Sequence, residues 1–375
     1  MKKNRYGRII GIPVIALIIL VVAGCDLFSG MAHAVDPIVA AGDYHAMVLK
    51  EDGTLWAIGD NAYGQLGLGD VDDRTAFTEV LVSDVMDVAV GAYHTIILKT
   101  DGTLWVAGRN DDGQLGLDNT ADQDRFVQVP GISNIKGVSA GVAHTMVLKH
   151  DGTLWVTGSN FDGQLGLGTS EDQNSFVHVS DVAGVKAISA GGDHSILLKT
   201  DGSVWVTGDN DYGELGLGED VDEVTSFTEV PGLTDVIAID AAWDNSMVLK
   251  NDGTVWATGY NGNGGLGIGD TDDSDIYTFT MVPDVADVQA VAISEYHSMI
   301  LKTDGTLWAT GDNEEGELGL ADTDDRDTFT QVPDISGIQA FDVAYQHSIV
   351  LLNDGTIQTI GADYDGQSDE DDDIE

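Results

Sequence analysis

The chain has 375 residues, of which 64 are acidic and 16 basic, giving a formal charge of −48 at pH 7. So anionic a body repels phosphate backbones, which argues against nucleic acid as a partner. The hydrophobic fraction of 42% allows a sizeable core, and a single cysteine rules out a disulfide within the chain.

Lys2, Lys3, Arg5 and Arg8 open the chain, and no acid precedes Asp26. An apolar run from Ile9 to Val22 follows, interrupted only by Gly11 and Pro13. A basic start, an apolar stretch and small residues at Ala23-Gly24 have the pattern of a bacterial export signal. Because Cys25 stands directly after Val22-Ala23-Gly24, the segment resembles a lipobox, which implies removal of residues 1–24 and lipidation of Cys25. The run is shorter than the about 20 residues that a spanning helix needs, which disfavours an uncleaved anchor. The expected location is therefore the cell membrane or envelope, on the extracytoplasmic side, with residues 25–35 as a lipid-anchored N-terminal segment.

From residue 36 to 367 one phrase recurs: Lys-x-Asp-Gly-Thr-Leu-Trp-x-x-Gly-x-Asn-x-x-Gly-Gln-Leu-Gly. Its Asp-Gly step falls at Asp52, Asp101, Asp151, Asp201, Asp252, Asp304 and Asp354, at intervals of 49, 50, 50, 51, 52 and 50 residues. A period this regular marks a repeat architecture and one cooperative body. Within a unit the apolar period is 2, and the residues are β-branched and aromatic, as strands require. In the second unit the runs are Val85 to Val90, Thr95 to Lys99, Thr103 to Ala107 and Phe126 to Val129. Asp101-Gly102 lies between the second and third, where Asp-Gly supplies the positive φ of a tight hairpin. The expected fold is all-β, a seven-bladed β-propeller of four-stranded antiparallel blades, since radial repetition protects sheet edges. A linear solenoid would have shorter coils without this hairpin punctuation.

The seventh unit stops at Gly366-Gln367, before a fourth strand. Closure then requires the stretch from Phe28 to Val35 to supply it; otherwise the seventh blade is three-stranded. Residues 368–375 read as an acidic disordered tail.

Gly-x-x-His, x-Asp-Gly-Thr-Leu-Trp and Gly-x-Asn-x-x-Gly-Gln-Leu-Gly-Leu-Gly together resemble the repeat of the regulator of chromosome condensation family, over about residues 36–367. The resemblance implies a seven-bladed propeller and a range of roles: a guanine nucleotide exchange factor, a plant ultraviolet receptor and a secreted bacterial inhibitor of β-lactamases. Such a spread separates fold from function. The exchange activity implied by the family relies on a wedge-like insertion, for which a spacing of 49 to 52 leaves no room.

Strand parity places the loops between first and second strands, and between third and fourth, on one face of the ring. The Asp-Gly turns and the links between blades occupy the other. On the first face the units diverge: the two residues before each histidine position are Asp43-Tyr44, Ala92-Tyr93, Val142-Ala143, Gly192-Asp193, Trp243-Asp244, Glu295-Tyr296 and Tyr345-Gln346. The third-to-fourth loops add Tyr63, Phe161, Tyr212 and Tyr364, with acidic runs Asp70 to Asp73, Asp270 to Asp275 and Asp322 to Asp327. Aromatic residues flanked by acids suit a surface that binds protein. The candidate partner-binding residues are Asp43, Tyr44, Tyr63, Tyr93, Phe161, Tyr212, Trp243, Asp244, Glu295, Tyr296 and Tyr345. Solvated loops on a very acidic protein are the alternative.

His45, His94, His144, His194, His297 and His347 occupy one position in six units, with Asn245 in the fifth. A residue repeated around a ring serves the blade, and histidine and asparagine can both bridge backbone groups, so these are read as structural. The Leu-Trp tryptophans are read as blade packing. The run Asp270 to Asp275 has the alternate carboxylates of a calcium site, but Asp275 and Met281 stand where an EF-hand has glycine and glutamate. No cofactor is expected, calcium remaining an alternative beside plain adaptation to salt. No nucleophile with a base and no phosphate loop emerges, so no enzyme is expected. The reading is a non-enzymatic, membrane-anchored scaffold that is expected to be monomeric and to recognise a protein partner through its variable face. Its alternatives are exchange-factor activity and inhibition of a cell-envelope enzyme.

Overall fold

A computed structural model describes residues 36–269 and 274–362. The leader 1–24, Cys25, the closing candidate Phe28 to Val35, Asp270 to Asp273, Tyr364 and the tail 368–375 lie outside the described residues. The described residues form strands without helices, arranged as six four-stranded sheets and one of three strands, each antiparallel in chain order.

Blade 1 consists of Ile38–Ala41, His45–Leu49, Leu55–Gly59 and Arg74–Val80. The first strands of blades 2 to 7 are Val85–Val90, Ile135–Ala140, Val185–Ala190, Val236–Ala242, Val288–Ile293 and Ile338–Val343. These first strands pack side by side around the axis. Second and third strands are almost wholly buried, whereas fourth strands alternate and form the outer wall. The seven-bladed propeller expected from the period is therefore present, with blade 7 showing the strands Ile338–Val343, His347–Leu352 and Ile357–Gly361.

Each part of the repeated phrase has a local cause. Asp52 Oδ1 accepts the Thr54 N–H and hydroxyl, Thr54 Oγ1 accepts the Trp56 indole N–H, and Gly53 takes the positive φ of 81° that closes the turn. Lys50 Nζ then lies 4.7 Å over the Trp56 ring. Asn61 Oδ1 accepts the Leu66 N–H while its amide donates to the carbonyls of Asp70 and Asp72, tying the third-to-fourth loop together. Gly67, at φ 67°, lies flat on the next blade: a Cβ there would meet the Phe126 ring at 2.4 Å. Beside it Leu68 bridges to Arg125 in the fourth strand of blade 2.

The core lies between blades rather than within them. Met146, Leu148 and Leu165 of blade 3 share one cluster with Ile188, Leu197 and Phe227 of blade 4. A single blade leaves this surface bare, so stability accrues only with the neighbour in place.

Histidines weld the same interfaces, through side chains where backbone partners were expected. His45 Nε2 lies 2.7 Å from Thr95 Oγ1, which donates to the Gln65 carbonyl at 2.7 Å. His94 meets Thr145, His144 meets Ser195, His194 meets Ser246 and His297 meets Ser348 in the same way. Because the hydroxyl of Thr95 spends its one proton on the carbonyl, the histidine nitrogen must donate, which fixes the Nε2–H tautomer. Asn245 does reach backbone, donating to the carbonyls of Ser294 and Glu295 in blade 6. At the seam the hydroxyl position is Ala46, and His347 Nε2 has no partner. There Val39, Ala46, Val48 and Ile58 close on Ala340, Ile349 and Leu351, and Asp342 accepts the Ala41 N–H at 2.9 Å.

His144→Ala should cost about 3 kcal/mol by urea denaturation, from lost packing and an emptied hydrogen-bond slot. His347→Ala, whose Nε2 bonds nothing, should cost less by about 1 kcal/mol. Equal losses would deny the relay any share in stability.

Candidate binding face

Antiparallel order carries the loops between first and second strands, and between third and fourth, to one face. Two aromatic groups form there. In blades 1 and 2, Tyr44 stacks on Tyr93 at 4.8 Å, Tyr63 meets Tyr93 edge-on at 5.4 Å, and the Arg109 guanidinium lies 5.8 and 5.9 Å from Tyr63 and Tyr93. In blades 4 to 7 a chain of rings runs from Tyr212 through Tyr260 and Tyr296 to Tyr345 and Trp243, with centroids 5.1 to 6.4 Å apart. Such edge-to-face contacts fix rigid, amphipathic surface.

The two groups are joined across the ring. Trp243 Nε1 donates to Asp43 Oδ1 at 2.9 Å, although the residues are 200 apart in sequence and sit on opposite blades. Trp243 adopts φ 43°, an unfavourable region for a bulky residue, and its carbonyl accepts the Gly192 N–H. A strained backbone held from two sides thus lays the indole over the axis.

Carboxylates crowd the second group. Burial pushes Asp244 up to about 7, and Glu295, Asp209, Asp193 and Asp275 push the same way. Burial raises Asp43 to about 6 against the pull of the Trp243 hydrogen bond. Glu214 goes up to about 9, again by burial first, with Asp209 and Asp244 adding repulsion. Glu214 holds the position of Gln65, Gln114 and Gln164 in the repeated phrase. In those blades the glutamine accepts a backbone N–H two residues back, and Gln164 Nε2 also donates to Asp193 Oδ1 at 2.8 Å.

Of the residues marked from sequence, Tyr44, Tyr63 and Tyr93 come together, as do Tyr212, Trp243, Asp244, Glu295, Tyr296 and Tyr345, and Asp43 joins them. Phe161 stands apart, 78% exposed. Tyr260, Arg109 and Glu214 were missed, although the first two fill a variable slot of the phrase and Glu214 departs from its fixed glutamine. The acidic runs are largely internal: Asp73 and Asp325 accept the backbone N–H of Asn61 and Asn313, and Asp70 and Asp322 pair with Arg74 and Arg326 at 2.8 Å. No group of three or more metal-binding side chains is found among the described residues. A polar cleft of about 280 Å³ between blades 2 and 3 is lined by Asp111, Asp112, Thr120, Asp172, Gln173 and Asn174.

Three further acids sit in the first strands. Asp240 accepts the Ile293 N–H of the next blade at 2.9 Å, as Asp342 does that of Ala41, while Asp87 keeps one oxygen without a partner. Burial raises Asp87 and Asp240 to about 7 and Asp342 to about 8, Asp342 also feeling Asp240.

Profiles described as the regulator of chromosome condensation (RCC1) repeat match residues 52–98, 101–148, 151–198 and 201–249, and a second profile for the same repeat matches 38–65, 85–114, 135–164, 185–214 and 288–317. The chain belongs to this repeat family. It is 37% and 32% identical over 78 residues to the X-linked retinitis pigmentosa GTPase regulators of Mus musculus and Homo sapiens, matching 20% of this chain and 8% of each relative. Among solved structures, yeast RCC1 (Prp20) bound to Kap60 superposes with a TM-score of 0.75 at 20% identity, over 88% of this chain and 81% of that one. Prp20p of Saccharomyces cerevisiae, described with its binding properties to Gsp1p and histones, gives 0.75 at 21% over 88% and 83%. Human WBSCR16 gives 0.76 at 21% over 86% and 89%. At these identities the likeness concerns the fold.

The axial acids set a pH dependence for this family member. A carboxyl raised by folding binds its proton more tightly in the native state, so its stabilisation is present below its ordinary value near 3.8 and is lost as pH rises through 7 and 8. The ring histidines, lowered to about 3 to 4 by burial, act oppositely and lose stability as pH falls below 6.5. Tm should therefore decline from pH 7 to 9, and Asp342→Asn should flatten that decline. A variant curve parallel to the wild type would refute the assignment.

Proposed function

We propose that the protein is a non-enzymatic scaffold, anchored to the membrane through lipid on Cys25, that grips a protein partner outside the cytoplasm with its aromatic and acidic face. The observation that carries this reading is the chain of rings from Tyr212 to Trp243, tied over the axis by Asp43. Preordered aromatic side chains lose little conformational freedom on binding, which is why tyrosine and tryptophan dominate interface energetics. The yeast relative was solved bound to a protein, Kap60, which is in keeping with a propeller used as a docking body.

Crosslinking in the native envelope should capture a partner with wild type and Phe161→Ala but lose it with Tyr44→Ala, Trp243→Ala and Tyr296→Ala combined. Unchanged capture by the triple variant would refute the face. Cys25→Ser should leave the membrane fraction and retain its leader; a variant still processed and membrane-bound would remove the lipid anchor from the account.

Exchange activity on a GTPase is favoured by family membership alone. Units spaced 49 to 52 residues apart carry no insertion to act as a wedge. Inhibition of a cell-envelope enzyme is the same binding reading with a particular partner.

A further inference from the structure

This protein supplies its own cations to six of its seven tryptophans. Lys50, Lys99, Lys149, Lys199, Lys250 and Lys302 each lie 3.3 to 5.2 Å over the tryptophan of their own blade, all on the Asp-Gly side. Arg109 serves Tyr63 and Tyr93. Among the described residues no lysine or arginine lies over Tyr212, Trp243, Tyr296 or Tyr345, although carboxylates surround them.

The same corner has lost a hydrogen-bond donor. In blade 3, Gln164 donates to Asp193 of the next blade. One blade on, the corresponding positions hold Glu214 and Asp244, two carboxyls near enough that the Asp244 charge raises Glu214. Glu214 is 1% exposed, its Oε2 accepts the Tyr212 N–H at 3.0 Å, and it has no side-chain hydrogen-bond partner among the described residues. Tyr212, 41% exposed, stands at the rim of this corner. Beyond the Tyr212 N–H on Glu214 Oε2, neither carboxyl has a donor among the described residues, and the ring beside them has no cation; the pair asks for a positive charge carrying N–H donors.

We propose that Glu214 and Asp244, beside the ring of Tyr212, receive a lysine or arginine side chain from a basic segment of the protein partner. This rests on the scaffold reading and gives that partner a chemistry. In the free protein the corner relieves its crowding with a proton, since burial first, and then Asp209 and Asp244, hold Glu214 up to about 9, while burial first, and then Glu295, Asp209, Asp193 and Asp275, hold Asp244 up to about 7. An incoming cation replaces that proton, so affinity rises with pH between 7 and 9.

The test uses the full chain and fluorescent hexalysine and hexaarginine, titrated by anisotropy at low ionic strength. Glu214→Gln restores the residue that other blades carry, so folding is not at stake. It and Asp244→Asn should each weaken binding by about tenfold, and Glu214→Gln should abolish the rise above pH 7. The double variant Glu79→Gln/Glu229→Gln removes two charges from the exposed fourth strands and should change affinity less than about twofold. Failure of the wild type to bind either peptide, unchanged binding by Glu214→Gln, or an equal loss in the outer-strand control would each overturn the proposal. If the peptides fail while capture still depends on Tyr44, Trp243 and Tyr296, the cation site falls and the scaffold stands.

Discussion

Every blade depends on its neighbour to cover it. The apolar clusters draw their members from two neighbouring sheets, as Leu165 with Phe227 shows, and the loops after the third strands of blades 1, 2, 3 and 5 bridge to the next blade's fourth strand. The histidine-to-hydroxyl contacts cross the same boundary. A ring built on shared interfaces has no blade that can change freely in its strands, which explains why the units repeat so exactly there and diverge only on one face.

The seam shows what the relay contributes, because the chain does without it once. Between blades 7 and 1, Ala46 leaves His347 without its hydroxyl, and closure falls to apolar contact, to the Asp342 carboxyl on the Ala41 N–H, and to Gln339 on Glu51. The carboxyl does here what Ser139 and Ser189 do in blades 3 and 4, each accepting the N–H of the next innermost strand. Those N–H groups line the axis, where no ladder partner exists, so a short polar side chain from the preceding blade is the available acceptor.

The period made the propeller legible, since an Asp-Gly every 49 to 52 residues and an alternating pattern admit few other solutions. Strand parity also placed Tyr44, Tyr63 and Tyr93 on one face correctly. The Trp243 bond to Asp43 was beyond sequence, because it joins opposite sides of a ring and leaves no spacing signal. The acidic runs misled for a related reason: Asp73 and Asp325 look free in a sequence and are spent on backbone N–H groups of their own loop. Glu214 was readable as a departure from glutamine, but its meaning needed the neighbouring blade's Asp244 beside it.

The faces of the ring differ in electrical character, and the chain's direction fixes which is which. The first strand of blade 1 begins at Ile38 and runs toward the loop of Asp43 and Tyr44, so the chain enters on the Asp-Gly side. The contact between Gln339, near the start of a first strand, and Glu51, in a hairpin turn, puts the starts of first strands and the Asp-Gly turns on the same side. It is also the side where six lysines lie over tryptophans, each near the aspartate of its own turn. The chain's point of entry into the ring thus lies on the compensated side, and the aromatic face is the far one. Charge is balanced on the side of entry, while the carboxylates around Asp244 and Glu214 present an uncompensated field to whatever approaches the aromatic face.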